Sequence, residues 1–305
     1  MNWRTEIQIK QGEFQIDHQD FIISFGSCFA ENIQQKLRYN GFGSLTNPTG
    51  ILYNSRSILK MMNLLLAKEE LDENRYVERD GMICHYDFHM DLRAKDKAGF
   101  LDVLGQAQKE FQERWTEAKV LVVTLGTAHV YSKEQEIVAN CHKQPSQLFN
   151  KSLMSIEDIV SDLHQIKHLA EAKNIIFTIS PVRHLKDGFI ENQLSKAHLI
   201  TAVHQTKVSY FPSYEIVLDE LRDYRFYTSD LVHPSVESVD YVWDKFTEAY
   251  MTPKSQELMK KIEKWRRLKN HRSFNPSSPQ NEKTIQKIKN QFQQLKEEIP
   301  HLTFD

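Results

Sequence analysis

A serine hydroxyl is a weak nucleophile at neutral pH; it attacks well only when a histidine takes its proton and a carboxylate orients that histidine. The chain holds these three groups in two separated segments. Ser27 stands in Phe25-Gly26-Ser27-Cys28-Phe29-Ala30-Glu31, while Asp230 and His233 stand in Tyr227-Thr228-Ser229-Asp230-Leu231-Val232-His233-Pro234-Ser235. The apolar run Phe21–Phe25 reads as a strand leading into Ser27, and Ile33 and Leu37, one helical turn apart, read as a helix leading out. Ser27 is therefore expected on a strand-to-helix turn, where the first unpaired N–H groups of the helix can face a developing oxyanion. Gly26 supplies the backbone freedom such a turn needs. A simpler role for Ser27 is helix N-cap. Against it, the capping-box position is Ala30, so no Glu or Gln reaches back. In the second segment, Asp230 is near enough in sequence to fix the tautomer of His233, and Pro234 biases His233 toward an extended conformation. With 13 histidines in the chain, an incidental surface turn is the competing explanation.

Other groups that could do chemistry are weaker candidates. Cys28 is an alternative nucleophile, because a thiol at a helix start is expected to have a lowered pKa. Cys84-His85 with His89, and Cys141-His142, lack the paired spacing of metal sites, so no metal is expected. Arg183-His184 follows a strand and could hold a carboxylate or phosphate, or could be a salt-bridged loop. Lys196 is read as lying on a helix surface. The chain has no Gly-rich phosphate loop, so neither a nucleotide nor a dinucleotide cofactor is expected, and hydrolytic chemistry at Ser27 requires none.

To bring Ser27 and His233 together, the elements between them must put both on one sheet edge. Apolar, β-branched runs alternate with amphipathic stretches, the pattern of a parallel sheet covered by helices on both faces. Five strands are expected, at Phe21–Phe25, Gly41–Thr46, Val120–Leu125, Asn174–Ser180 and Tyr214–Leu218. Helices are expected at Glu31–Tyr39, Ser57–Ala67, Ala98–Trp115, Ile156–Ala172, Glu191–Lys207 and Val239–Tyr250, with right-handed crossovers. Both reactive segments then project from the carboxyl edge, where open α/β sheets place their sites. A hairpin turning at Asp80-Gly81 is expected as an insertion over about residues 70–95. Residues 1–252 read as the α/β domain. Residues 253–305, rich in Lys, Glu and Gln and broken at Asn275-Pro276-Ser277-Ser278-Pro279, read as a solvated helical appendage.

Composition narrows the partners. A formal net charge of −2 offers no global attraction to nucleic acid or anionic membranes. Cys28, Cys84 and Cys141 are too few for a disulfide framework. The start, Met1-Asn2-Trp3-Arg4-Thr5-Glu6, lacks an apolar signal region, and no run approaches the roughly 20 apolar residues of a membrane span. A cytoplasmic protein is expected.

The motifs also carry a resemblance. Phe25-Gly26-Ser27-Cys28-Phe29-Ala30-Glu31-Asn32-Ile33 resembles the naming motif of the GSCFA family, a branch related to the SGNH (GDSL-type) hydrolases. Asn47-Pro48-Thr49-Gly50-Ile51-Leu52-Tyr53-Asn54 and Leu125-Gly126-Thr127-Ala128-His129-Val130-Tyr131 are similar to its second and third signatures. Val138-Ala139-Asn140-Cys141-His142-Lys143 and Ser180-Pro181-Val182-Arg183-His184 also look like family motifs. The resemblance implies a flavodoxin-like three-layer α/β/α sandwich with a central five-stranded parallel sheet. It makes Ser27 the nucleophile, His233 the general base and Asp230 its orienting partner. For the oxyanion hole it implies the N–H groups of Ser27 and Gly50; where SGNH hydrolases carry Gly-x-Asn-Asp, this chain has Gly126-Thr127-Ala128-His129, leaving Asn140 or Thr127 as the third donor. His142, Arg183 and His184 become candidate substrate-binding residues. The expected function is a serine esterase or acyl hydrolase acting on a small-molecule or carbohydrate ester. The alternatives are an O-acyltransferase that modifies sugar hydroxyls and a non-catalytic carbohydrate- or partner-binding module.

Overall fold

Alternation along the apolar runs sorts their side chains onto the two faces of one sheet. The computed structural model describes residues 5–270 and 279–303; the residues 1–4 and the Pro/Ser break at 275–278 lie outside the described residues. In chain order the first half comprises β1 (Phe21–Gly26), α1 (Cys28–Tyr39), β2 (Ser44–Thr46), α2 (Ser55–Leu65), β3 (Tyr76–Arg79), β4 (Met82–His85), α3 (Lys97–Glu117) and β5 (Ala118–Leu125). There follow β6 (His129–Lys133), β7 (Glu136–Val138), β8 (Asn150–Leu153), α4 (Ile156–Leu169), β9 (Asn174–Ile179), α5 (Phe189–Gln205) and β10 (Ser209–Phe211). A short α6 (Ser213–Glu215) runs into a π-helical turn at Ile216–Leu221, and α7 (Val236–Tyr250), α8 (Pro253–Asn270) and α9 (Pro279–Glu298) complete the chain.

The central sheet has five parallel strands in the spatial order β2-β1-β5-β9-β10. Counted among the sheet strands alone this is the 2-1-3-4-5 order of flavodoxin-like folds. Ile23, Phe25, Leu121, Val123, Leu125 and Phe177 point to a core shared with α2, α3, α4 and α5. Ile22, Val120, Val122 and Ile176 point the other way, into a core shared with α1 and α7. Each such fully buried side chain stabilises the layered arrangement by roughly 1.5–3 kcal/mol relative to exposure.

Register then fixes the carboxyl edge. Gly26 lies opposite Thr124, Ser24 opposite Thr46, and Leu125 opposite Ile179. Ser27, Asn47, Gly126 and Ser180 consequently leave the sheet along one rim. The chain reverses direction across the sheet between β1 and β5, so Ser27 stands at the switch point where ligands bind in open α/β sheets.

The structure departs from the sequence-based expectations at several elements. The fifth strand is Ser209–Phe211, ended by Pro212, and the expected strand Tyr214–Leu218 is helical. Tyr214, Val217 and Leu221 are buried at i, i+3 and i+7, which is a helical face that a short apolar run conceals. The second strand is only Ser44–Thr46, and helix α1 begins directly after Ser27. An antiparallel sheet ordered β7-β6-β8 was not anticipated. The Asp80-Gly81 hairpin forms between β3 and β4 as expected, but it is not a loose flap: Arg75, at its entrance, donates through Nε and Nη2 to Asp87 Oδ1 at 3.0 and 2.6 Å and pairs through Nη1 with Glu136 at 2.6 Å. Lys60 on α2 meets the other Asp87 oxygen at 2.9 Å, so both antiparallel additions are tied to the main body.

The C-terminal helices α8 and α9 build their own small core from Leu258, Ile262, Trp265, Leu295, Ile299 and Leu302. That core sits on the end of α1, where Arg266 Nε donates to Tyr39 O at 2.8 Å and His301 Nε2 donates to Gly41 O at 3.0 Å. Among the described residues no helix is long and apolar enough to cross a membrane.

Candidate active site

Ser27 is the N-cap of α1, with extended φ/ψ of −69° and 176° and its Oγ accepting from Phe29 N–H at 3.3 Å. Its own N–H reaches Thr124 O at 3.3 Å, and its side chain is fully buried. Gly26 makes this placement possible: it has φ +145°, and a Cβ there would stand 2.2 Å from Thr124 O. Asn47 Oδ1 accepts from Gly26 N–H at 2.9 Å, while Leu52 N–H donates to Gly26 O at 3.1 Å. The second signature thus clamps the turn that carries Ser27.

Asp230 and His233 form a preassembled pair. Asp230 Oδ1 accepts from Thr228 Oγ1, Val232 N–H and His233 N–H at 2.7, 2.8 and 3.0 Å, leaving Oδ2 to meet His233 Nδ1 at 2.7 Å. These donors, Thr228 and His233 first, hold the Asp230 carboxyl well below the usual carboxylate range. An ionised carboxylate only accepts, so Nδ1 donates to it, and in the neutral imidazole Nε2 is then the nitrogen that bears the lone pair. The pair is half exposed, and Nε2 has no hydrogen-bond partner among the described residues. No hydrogen bond joins His233 to Ser27.

Most of the implied oxyanion donors are engaged elsewhere. Gly50 has φ +97° and its N–H donates to Asn47 O at 2.8 Å. Thr127 N–H donates to Tyr53 O at 3.0 Å, and its hydroxyl lies 3.0 Å from Ser195 Oγ while accepting from His129 N–H. Asn140 folds into a local turn in which its Oδ1 accepts from His142 N–H at 2.8 Å. His142 is itself buried, its Nε2 donating to His85 O at 2.9 Å, so it braces the hairpin.

His184 and Arg183 do border the rim. His184 Nε2 is buried without a hydrogen-bond partner and lies 3.3 Å from where a Cβ on Gly126 would stand. Burial, helped by the Lys196 charge, pushes its pKa down to about 3, so the ring is neutral near pH 7. Cys28 differs from expectation: burial first, then Glu31, raises its pKa despite the helix N-terminus. It is a thiol, not a thiolate, at neutral pH.

Lys196 is the residue that sequence reasoning misplaced. It is 1% exposed, not on a helix surface, and its Nζ donates to Gly126 O at 2.6 Å and Ser180 O at 2.7 Å. It therefore pins the carboxyl ends of β5 and β9 beside the rim. A signal was present: Asn192, Leu199 and Val203 surround it at helical spacing and are all buried. Burial lowers its pKa from the ordinary 10.5 to about 7, with Cys28 opposing. Between those two values the unfolded chain binds more protons, so this group makes folding more favourable as pH rises; below about 7 the cost of burying the ammonium is fully present. The variant Lys196→Met lacks that response but leaves two carbonyls unpaired at every pH. Its stability relative to wild type is expected to worsen from pH 6 to pH 9, by up to about 1.4 kcal/mol per pH unit. Urea midpoints of both proteins across that range check this, and an unchanging or shrinking deficit would contradict it.

The rim therefore gathers Ser27, the Asp230–His233 loop, Lys196, Arg183 and His184, whereas Asn140 and His142 serve the hairpin. Among the described residues no group of His, Cys, Asp and Glu side chains could hold a metal ion. Curated proteins provide no match to the chain. A family model, that of the GSCFA family, matches residues 21–246, from the first residue of β1 into α7. That span includes every residue of the rim, and this protein belongs to the GSCFA family.

Proposed function

We propose that this protein is a serine hydrolase of ester bonds, with Ser27 as nucleophile, His233 as general base and Asp230 as the group that orients it. The observation that carries the reading is the Asp230–His233 pair: Asp230 Oδ2 engages imidazole Nδ1 and leaves Nε2 without a hydrogen-bond partner among the described residues. In the reaction His233 takes the Ser27 proton as Oγ attacks the ester carbonyl, then gives it to the departing alcohol. Asp230 stabilises the imidazolium between those steps. The N-terminal turn of α1 supplies positive backbone potential to the oxyanion. The likeness of Gly-Ser and Asp-x-x-His to the SGNH hydrolases supports the same assignment.

Catalysis requires Ser27 to become accessible and His233 Nε2 to come within about 3.2 Å of Oγ, directly or through one water. Purified protein is expected to release 4-nitrophenol from short acyl esters, with a burst that reports a covalent acyl-enzyme. Acyl product on an added sugar, in place of free acid, would reassign the reaction to transfer.

A specific observation favours a second reading, a non-catalytic binding module. Ser27 is buried as a helix cap, and the N–H groups of Ser27 and Gly50 already have acceptors. Absence of turnover together with ligand-dependent thermal shifts that persist in Ser27→Ala would select it.

A further inference from the structure

Arg183 leaves β9 and is tied twice to the His233 loop, its N–H to Val232 O at 3.0 Å and its Nη1 to Leu231 O at 2.8 Å. Three aromatic rings surround the guanidinium, with Cζ 5.4 Å from the centre of Tyr227 and 5.6 Å from those of Phe189 and Tyr224. Two of these rings stand largely in solvent: Phe189 is 66% and Tyr224 64% exposed. Leu231 beside them is also exposed. Scattered apolar side chains on a surface need no explanation, but a cluster around a cation beside a candidate base does.

The charge is unneutralised. Among the described residues no carboxylate pairs with Arg183; Asp187 is paired with Lys151, Asp223 with Arg225 and Asp230 with His233. A guanidinium has five N–H donors in a planar fork, and the bond to Leu231 O uses one direction. The surrounding rings and the bond to Leu231 O favour one placement of the fork before any ligand arrives.

We propose that Arg183 with Phe189, Tyr224 and Tyr227 forms a subsite for an anionic group on the ester substrate, a carboxylate or phosphate borne on a chain or ring whose apolar face lies on Phe189 and Tyr224. The position of this subsite beside a scissile bond rests on the hydrolase reading, whereas its binding of an anion does not. The anion can belong to the acyl side, as in the half-ester of a dicarboxylic acid, or to the alcohol side, as in an acylated sugar acid. Both present the same carboxylate to a charge-assisted, two-pronged contact.

Two measurements on the full chain test it. The first compares kcat/KM for mono(4-nitrophenyl) adipate and 4-nitrophenyl hexanoate, an anionic and a neutral ester of equal chain length. Wild type is expected to favour the anionic ester by about tenfold or more, with the preference falling as salt rises. In Arg183→Gln the ratio is expected to approach one, and in Tyr224→Ala, a change at an exposed ring, it is expected to fall part of the way. The second measures calorimetric binding of adipate and of methyl glucuronide against methyl glucoside, which separates the acyl-side from the alcohol-side anion without any turnover. Anion binding that depends on Arg183, with neither ester hydrolysed, would uphold the subsite and remove the hydrolase reading. Turnover with no charge preference and no anion binding would overturn the subsite and leave the hydrolase reading standing. A preference that survives in Arg183→Gln, or silence in both measurements, also overturns it.

Discussion

Replacing His233 with Ala is expected to lower kcat on short acyl esters by about 10⁴–10⁶ while leaving the fold intact. The loss is large because, on this reading, His233 both takes the Ser27 proton and returns it to the leaving alcohol. The fold should survive because His233 is half exposed and its backbone, which donates to Asp230 and accepts from Thr228, is unaltered. Asp230→Asn isolates the orienting step. The amide can no longer hold the imidazole in the tautomer that bears its proton on Nδ1, and a loss of about 10⁴ in kcat is expected. Steady-state rates, with circular dichroism as the control for folding, measure both. A decrease of only a few-fold in His233→Ala would mean that the pair is a surface turn.

Ser27 is expected to show two separable effects. Its Oγ caps α1, so Ser27→Ala should cost about 0.5–2 kcal/mol of stability as well as all acyl-enzyme formation. Glycine is a tolerated N-cap, and Ser27→Gly should lose only a few tenths of a kcal/mol by the same comparison. Catalysis, however, should fall equally in both, by about 10⁴–10⁶. Thermal unfolding and ester turnover measured on the pair distinguish the cap from the nucleophile. Activity that follows stability, falling in Ser27→Ala and recovering in Ser27→Gly, would assign Ser27 to the helix alone.

Much of the frame could be read from residue order because local chemistry dictates it. β1, β5 and β9 are apolar on both alternating faces, a pattern that only a strand buried between two helical layers needs. The hairpin at Asp80-Gly81 is legible for a related reason: both turn residues have positive φ, and Asp-Gly is the pair that tolerates it. The turn between β6 and β7 adopts the same conformation with Glu134-Gln135, at φ of +53° and +70°, and nothing in those residue types announces it. The pairing of β6 with β7, Lys133 opposite Glu136, closes the turn across those two residues. Tyr214–Leu218 failed differently, since five mostly apolar residues fit a strand and a helical face equally well.

The candidate site was legible where partners are close in sequence and obscure where they are distant. Asp230 and His233 meet because they share one loop. Thr127, by contrast, a candidate oxyanion donor by sequence, has its hydroxyl 3.0 Å from Ser195 Oγ on α5, a contact 68 residues away along the chain. The same crossover buries Lys196 between the exits of β5 and β9, a position its charge argues against and its helical neighbours support. Burial likewise reversed the expectation for Cys28, whose helix-start location is outweighed by desolvation.

The central claim is that Ser27 acts as a nucleophile with His233 as its base, and covalent labelling by a fluorophosphonate followed by peptide mass mapping tests it most directly. The account predicts one adduct, on the peptide containing Ser27, absent in Ser27→Gly and strongly slowed in His233→Ala. No adduct on wild type, or an adduct on any other residue that persists in Ser27→Gly, would contradict it.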